Sequence, residues 1–143
     1  MRLWFSMCLI VVTVSSCQIS SEAIGPKAEP IAVSSAAVGA IAGDMAARLA
    51  EHLPPAATRL NMKSDGSEFA AALEAALKGW GYTMIAEQSS GSASAMKLEY
   101  GLEGTDGQLL VQLSTTTIAL GRAYDASHAG AVPASPLSIM TRG

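Results

Sequence analysis

Met96-Lys97-Leu98-Glu99-Tyr100-Gly101-Leu102-Glu103 decides the fold, because apolar and polar residues alternate through it without a slip. Successive side chains of a strand point to opposite faces. The stretch therefore reads as a strand with Met96, Leu98, Tyr100 and Leu102 on a buried face and Lys97, Glu99, Gly101 and Glu103 on a wet one. Asp106-Gly107 follows, a pair suited to the positive φ angles of a two-residue hairpin, and the return strand runs from Gln108 to Ser114. A third strand runs from Thr117 to about Ser127, with Ile118, Leu120 and Tyr124 sharing a face. Together they form an antiparallel meander with one apolar side to cover.

The cover comes from upstream. Val38, Ile41, Met45, Leu49 and Leu53 recur at helical spacing, with Asp44, Arg48 and Glu51 off the stripe. Ser34 or Ser35 caps this helix, and Pro54-Pro55 ends it. Thr58-Arg59-Leu60-Asn61-Met62 alternates as a short strand before the turn Lys63-Ser64-Asp65-Gly66. A second helix follows, with Phe69, Leu73, Leu77 and Trp80 on one face and alanines supplying propensity. Asp65 with Glu68, or Ser67 alone, satisfies its first amides, and Gly79 or Gly81 stops it. Tyr82-Thr83-Met84-Ile85-Ala86 is then a strand, which completes a strand, helix, strand unit. Each helix has one apolar stripe and each strand one apolar face, so the expected class is α+β: two helices packed on a small, mainly antiparallel sheet. Glu87 to Ser94 is a solvated loop on composition. Beyond Gly130 the tail carries two prolines and little pattern, and is either loose or docked through Leu137, Ile139 and Met140.

At 143 residues the chain holds one domain and a leader. Charged residues make up 15% and hydrophobic residues 50%, a globular balance. The formal charge of −3 leaves no electrostatic footprint for nucleic acid, and it falls further if Arg2 leaves with the leader. Direct nucleic-acid binding is not expected. Aromatics are only 5%, so the core rests on Leu, Ile, Val, Met and Ala, which favours tight packing over a large ligand cleft.

Met1-Arg2 and the apolar run from Leu3 to Val14 have the charge and length of a signal peptide. The run falls short of the roughly 20 apolar residues that cross a bilayer. Val14-Ser15-Ser16-Cys17 resembles the lipobox of bacterial lipoprotein precursors, an aliphatic residue and two small ones before a cysteine. That resemblance implies cleavage after residue 16 and a lipid anchor on Cys17, whose thiol takes the diacylglyceryl group. Competing readings of the leader are an ordinary secretory signal with Cys17 incidental, and an uncleaved signal anchor. Cys8 leaves with the leader, so the mature chain holds no pair of cysteines for a disulfide and no thiolate metal site. Gln18 after the cysteine, where an aspartate favours inner-membrane retention, implies passage to the outer membrane and a periplasm-facing domain. From Gln18 to about Ser35 the Pro-interrupted sequence reads as a tether. The expected organisation is thus a signal peptide at residues 1–16, the lipidated cysteine and tether at 17–35, an α+β domain at 36–130, and a tail at 131–143.

No arrangement for catalysis emerges. His52 and His128 are the two imidazoles, and neither has a second ligand at metal spacing. His52 falls in the last turn of the first helix, where the dipole favours a cation, and His128 falls in a strand end. Gly66-Ser67 opens a helix but lacks the frame of a nucleophile elbow, and Gly79-Trp80-Gly81 is explained as a helix stop. The expectation is no enzymatic activity, no cofactor, no metal and no small-molecule substrate.

Four pieces in order carry a family resemblance. They are Gly43-Asp44-Met45-Ala46-Ala47-Arg48-Leu49-Ala50-Glu51, then Leu73-Glu74-Ala75-Ala76-Leu77-Lys78-Gly79-Trp80-Gly81-Tyr82, then Leu120-Gly121-Arg122-Ala123-Tyr124, then Pro133-Ala134-Ser135-Pro136-Leu137-Ser138. With the lipobox in front, this combination resembles the TrbH family of conjugal transfer lipoproteins and spans most of the mature chain. The resemblance implies a structural component of the mating-pair formation apparatus, a type IV secretion system that moves plasmid DNA between cells. Its partners would then be other conjugal transfer channel proteins, and its link to the membrane the lipid on Cys17. The alternative is a periplasm-facing binding or chaperone-like lipoprotein that holds a lipid, peptidoglycan or client protein, for which an apolar groove between helices and sheet is expected.

Overall fold

A computed structural model describes residues 33–90, 92–105 and 107–143. The leader, Cys17 and most of the tether lie outside the described residues. Helix α1 (Ser35–His52) starts at Ser34, whose hydroxyl accepts from the Ala37 amide at 3.1 Å, and its last turn carries His52 ahead of Pro54. Strand β1 (Arg59–Met62) leads into helix α2 (Glu68–Gly79), capped by Ser67 Oγ on the Ala70 amide. At the other end of α2 the Gly81 amide donates to Lys78 O and the Tyr82 amide to Leu77 O, with Gly81 at φ 97. This is the paired-bond helix stop that requires a left-handed residue, so Gly81 is the stop rather than Gly79. The turn carries the chain into β2 (Thr83–Met84), shorter than the expected strand over 82–86.

The alternating stretch is β3 (Met96–Thr105), followed by β4 (Gln108–Ser114) and β5 (Ile118–Ser127). Thr105 pairs with Gln108, which leaves a two-residue connection with Gly107 at φ 80, while Asp106 lies outside the described residues. The tail is docked. It adds β6 (Gly130–Pro133) and β7 (Ser138–Thr141), both antiparallel to β5 and sharing one edge of it in succession. The sheet runs β2-β1-β3-β4-β5-β6, with β7 also on β5. Its β2-β1-β3 end is parallel and the remainder antiparallel, so the class is α+β as expected, with a mixed sheet.

One face of this sheet and the inner faces of both helices make the core. Ile41, Met45 and Leu49 of α1, Leu73 and Leu77 of α2, and Leu60, Leu98, Val111, Leu113, Leu120 and Tyr124 of the sheet are fully buried. Trp80 departs from the expected face: it is 50% exposed, because it is the C-cap of α2, where the chain is already turning toward Gly81.

Candidate functional site

Arg122 occupies the inward-facing register of β5 between buried Leu120 and Tyr124, a position where a strand of this kind should carry an apolar residue. Its charge is met from the covering helix. Arg122 Nη1 donates to Asp44 Oδ2 at 3.0 Å, and the Tyr124 hydroxyl donates to the same oxygen at 2.6 Å. Arg48 lies one turn further along α1, with Nε 3.5 Å from Asp44 Oδ1 and Nη1 2.5 Å from Glu51 Oε1. Arg48 Nε is buried without a hydrogen bond. Burial, reinforced by the hydrogen bond to Asp44, pushes the Tyr124 phenol well above its ordinary value, so this group is a fixed donor at any physiological pH.

The same cluster holds the tail. Arg122 Nε donates to Ser135 O at 3.1 Å, Ser135 Oγ accepts from the Ala123 amide at 2.9 Å, and the Ala134 amide donates to Ala123 O at 2.8 Å. Further on, the Arg142 amide donates to Thr117 O and Arg142 Nη1 to Thr115 O, which ties the last strand to the β4–β5 turn. That turn is closed by Thr115, whose buried hydroxyl accepts from the Ile118 amide at 3.0 Å. The cluster joins α1, β5 and the tail across 78 to 80 residues of sequence, and its charges are mutually neutralised. Its chemistry is that of a clasp.

The remaining sequence candidates are dispersed. Cys17 lies outside the described residues. His52 is exposed at the end of α1, and His128 is exposed in the turn after β5 rather than within the strand. Ser67 is spent on its helix cap. Among the described residues no group of three or more His, Cys, Asp or Glu side chains could hold a metal ion. None of the described helices is long and apolar enough to cross a membrane. Two open clefts flank the Lys63–Asp65 loop at the carboxyl ends of β1 and β2, the usual place for a ligand in a parallel sheet. Lys63 and Lys97 alternate there with Glu74, Glu87 and Glu99, and Lys97 is already paired to Glu99 at 2.6 Å, so neither cleft concentrates one sign of charge. The pairing raises the Lys97 ammonium and lowers the Glu99 carboxyl from their ordinary values. Asp65 is lowered to about 2, first by the Ser67 hydroxyl and then by the Ser67 amide, which donates to its Oδ1 at 2.9 Å. Burial raises Tyr82 to about 12, its hydroxyl donating to Leu53 O at 2.6 Å to hold the ends of the two helices together. The layer between helices and sheet, where a lipid-holding groove would lie, is filled by the buried core.

What the sequence did not disclose is the surface at the tail. Of the three residues expected to dock the tail, Leu137 packs on the core while Ile139 and Met140 are 46% and 64% exposed, and Val132 beside them is 61% exposed.

Comparison with known proteins agrees with the order of motifs. The family described as "Conjugal transfer protein TrbH" matches residues 20–143. A relative from Sinorhizobium fredii (strain NBRC 101917 / NGR234), "Probable conjugal transfer protein TrbH", is 50% identical over 137 residues, covering 92% of this chain and 93% of the relative. No solved structure matches.

Proposed function

Since this chain belongs to the TrbH family of conjugal transfer proteins, we propose that it is a structural, non-enzymatic lipoprotein of the type IV secretion apparatus that moves plasmid DNA between cells. Family membership across residues 20–143 carries this reading. The charge clasp supports the structural role, because its acid and bases neutralise one another instead of facing a substrate. The Val14–Cys17 motif supports anchorage. Two or three acyl chains on Cys17, at about 0.8 kcal/mol per buried methylene, hold the domain firmly at a membrane. Gln18 favours the outer membrane and a periplasm-facing domain. The partners are other conjugal transfer channel proteins, and neither nucleic acid nor a small-molecule substrate is contacted directly.

The test is intact-mass spectrometry of membrane-fractionated protein beside plasmid transfer frequency, comparing the parent with Cys17→Ser in a strain lacking the chromosomal or plasmid copy. An acylated mature mass and membrane association, lost in the variant together with transfer, are the expected results. A transfer defect with unacylated parent protein would retain the conjugal role and remove the anchor. Full transfer by a soluble Cys17→Ser protein would remove the anchored structural role.

A further inference from the structure

Strand β6 comes last in the sheet, so among the described residues its outer edge carries no further strand. The phase of its ladder shows which groups line that edge. The Ala134 amide donates to Ala123 O at 2.8 Å, and stepping back along the register makes Val132 and Gly130 the residues bonded to β5. Ala131 therefore turns both its N–H and its C=O outward, and Pro133 turns out a C=O alone. Natural proteins shorten, charge or cover such edges. The side chain of Ala131 packs on the core, so the helix side of this edge is apolar.

The chain itself arrives at this edge. The described residues begin at Val33, which packs on the core, and Ser34 Oγ donates to Ser127 O at 2.8 Å, at the corner where β5 turns into β6. From that corner α1 runs toward Arg122, which its Asp44 meets, and β6 runs the same way. A segment leading up to Val33 along the β6 edge is therefore antiparallel to β6, with Val33-Ser34 as a two-residue connection into the helix, an ordinary length for such a turn. Side-chain parity sets the register. Val33 faces the core, and in an extended chain Ile31 does too, as Ala131 does on β6. With Ile31 opposite Ala131 the two exchange both hydrogen bonds. Glu29 then falls opposite Pro133 and donates to its carbonyl. Pro30 falls opposite Val132, where its nitrogen points away from β6 and no amide is needed.

We propose that residues 29–32 form an added strand on β6, so that the segment of this chain preceding α1 closes the sheet. Three observations name this occupant together. The chain enters at the corner where the open edge starts, the packing of Val33 fixes which way Ile31 faces, and the one register that follows leaves Pro30 with no bond to make. The inference stands whether or not Cys17 carries lipid. Where it does, residues 18–28 alone set the distance between anchor and domain, at most about 40 Å when extended.

The test is disulfide capture in the full chain carrying Cys8→Ser and Cys17→Ser, which leaves the introduced thiols alone. Pro30→Cys with Val132→Cys places two thiols in a directly opposed, non-hydrogen-bonded pair with Cα atoms about 4.5 Å apart, within disulfide reach. Pro26→Cys with Val132→Cys is four residues out of register, roughly 14 Å away. The expected result is an intramolecular disulfide from the first pair on the order of ten-fold faster than from the second, since only the first meets the distance limit. Hydrogen exchange gives a second readout on the unsubstituted chain. The Ala131 amide, which faces away from β5, should be protected, and Ile31→Pro should cut that protection about ten-fold while the Val132 amide, bonded to β5, keeps its own. Equal linking by the two pairs, an Ala131 amide that exchanges freely in the unsubstituted chain, or linking only at twice the chain mass would each overturn the inference.

Discussion

Asp44→Ala tests whether the clasp holds the architecture together. The substitution removes one carboxylate that serves two donors, the Tyr124 hydroxyl at 2.6 Å and Arg122 Nη1 at 3.0 Å. Tyr124 is 1% exposed, so its hydroxyl has no access to water, and leaving it unsatisfied costs about 1–3 kcal/mol. Arg122 keeps its bond to Ser135 O, and its side chain is 20% exposed, so its loss is roughly 0.5–1 kcal/mol rather than the larger penalty of a sealed ion. The sum is about 1.5–4 kcal/mol, or about 6–20 °C in Tm for a domain near 100 residues. Tyr124→Phe removes the donor but leaves Asp44 with Arg122 and Arg48, and should cost about 1–2 kcal/mol. In the double variant no hydroxyl is stranded, so Asp44→Ala should cost about 1–2 kcal/mol less there than in the parent. Urea unfolding followed by far-UV circular dichroism gives all four corners of the cycle. Strictly additive losses, or an Asp44→Ala effect under about 0.5 kcal/mol, would show that the three side chains are surface neighbours and not a clasp.

Leu77→Ala deletes a fully buried side chain facing α1 and the sheet, and should cost on the order of 2–5 kcal/mol in the same unfolding assay. Glu103→Ala, on the exposed face of β3, should change stability by less than about 0.5 kcal/mol, and a larger loss would mean the two faces of the strand are reversed. In Gly81→Ala the added Cβ makes an ordinary contact with Pro55 Cβ at 3.8 Å but the residue must hold φ 97, so a loss of about 1–2 kcal/mol is expected from backbone strain alone. Asp65 sits lower when folded, at about 2 against 3.8, so it contributes stability that is complete above about pH 4 and is lost as pH falls toward 2. Ser67→Ala should shrink that acid-dependent loss, and a carboxyl titration by NMR should show the Asp65 midpoint rising toward its ordinary value.

The parts of this fold legible in the sequence are those governed by short range. The alternation of β3, the Gly107 hairpin, the caps at Ser34 and Ser67 and the stop at Gly81 each depend on residues within a few positions of one another. The parallel pairing of β1 with β3 was not legible, since nothing in Leu60-Asn61-Met62 names Met96-Lys97-Leu98 as its neighbour. Trp80 misled for a local reason: its spacing from Leu77 continues the helical stripe, yet it is already the cap residue, with the chain leaving the helix. β7 escaped notice because an edge strand with both faces partly wet has no reason to alternate, and Pro133 and Pro136 disguise the run around it. One signal for the clasp was present. Arg122 shares the inward parity of Leu120 and Tyr124, and a charge in that slot demands a counter-charge from the layer above, where Asp44 sits beside Ile41 and Met45 on α1.

The sequence pieces that carry the family resemblance acquire a physical meaning from this geometry. Asp44 belongs to the first, Arg122 and Tyr124 to the third, and Ser135 to the last, and they meet at one point despite separations of 78 and 80 residues. A catalytic motif brings such groups together around a vacancy for substrate. Here the groups satisfy one another, and the consequence is mechanical: α1 is fixed over β5, and the tail is drawn along the edge of β5 through Ser135 to Arg142. Loosening the clasp should therefore free the tail before it unfolds the meander, because β3, β4 and β5 keep their ladder without it. Hydrogen exchange resolves the two. In Asp44→Ala the Met140 amide, bonded inward to β5, should lose protection while the Leu113 and Val111 amides keep theirs. Equal loss at all three would mean that the tail and the meander open as one unit, and that the motif stabilises the whole sheet rather than presenting its last strand.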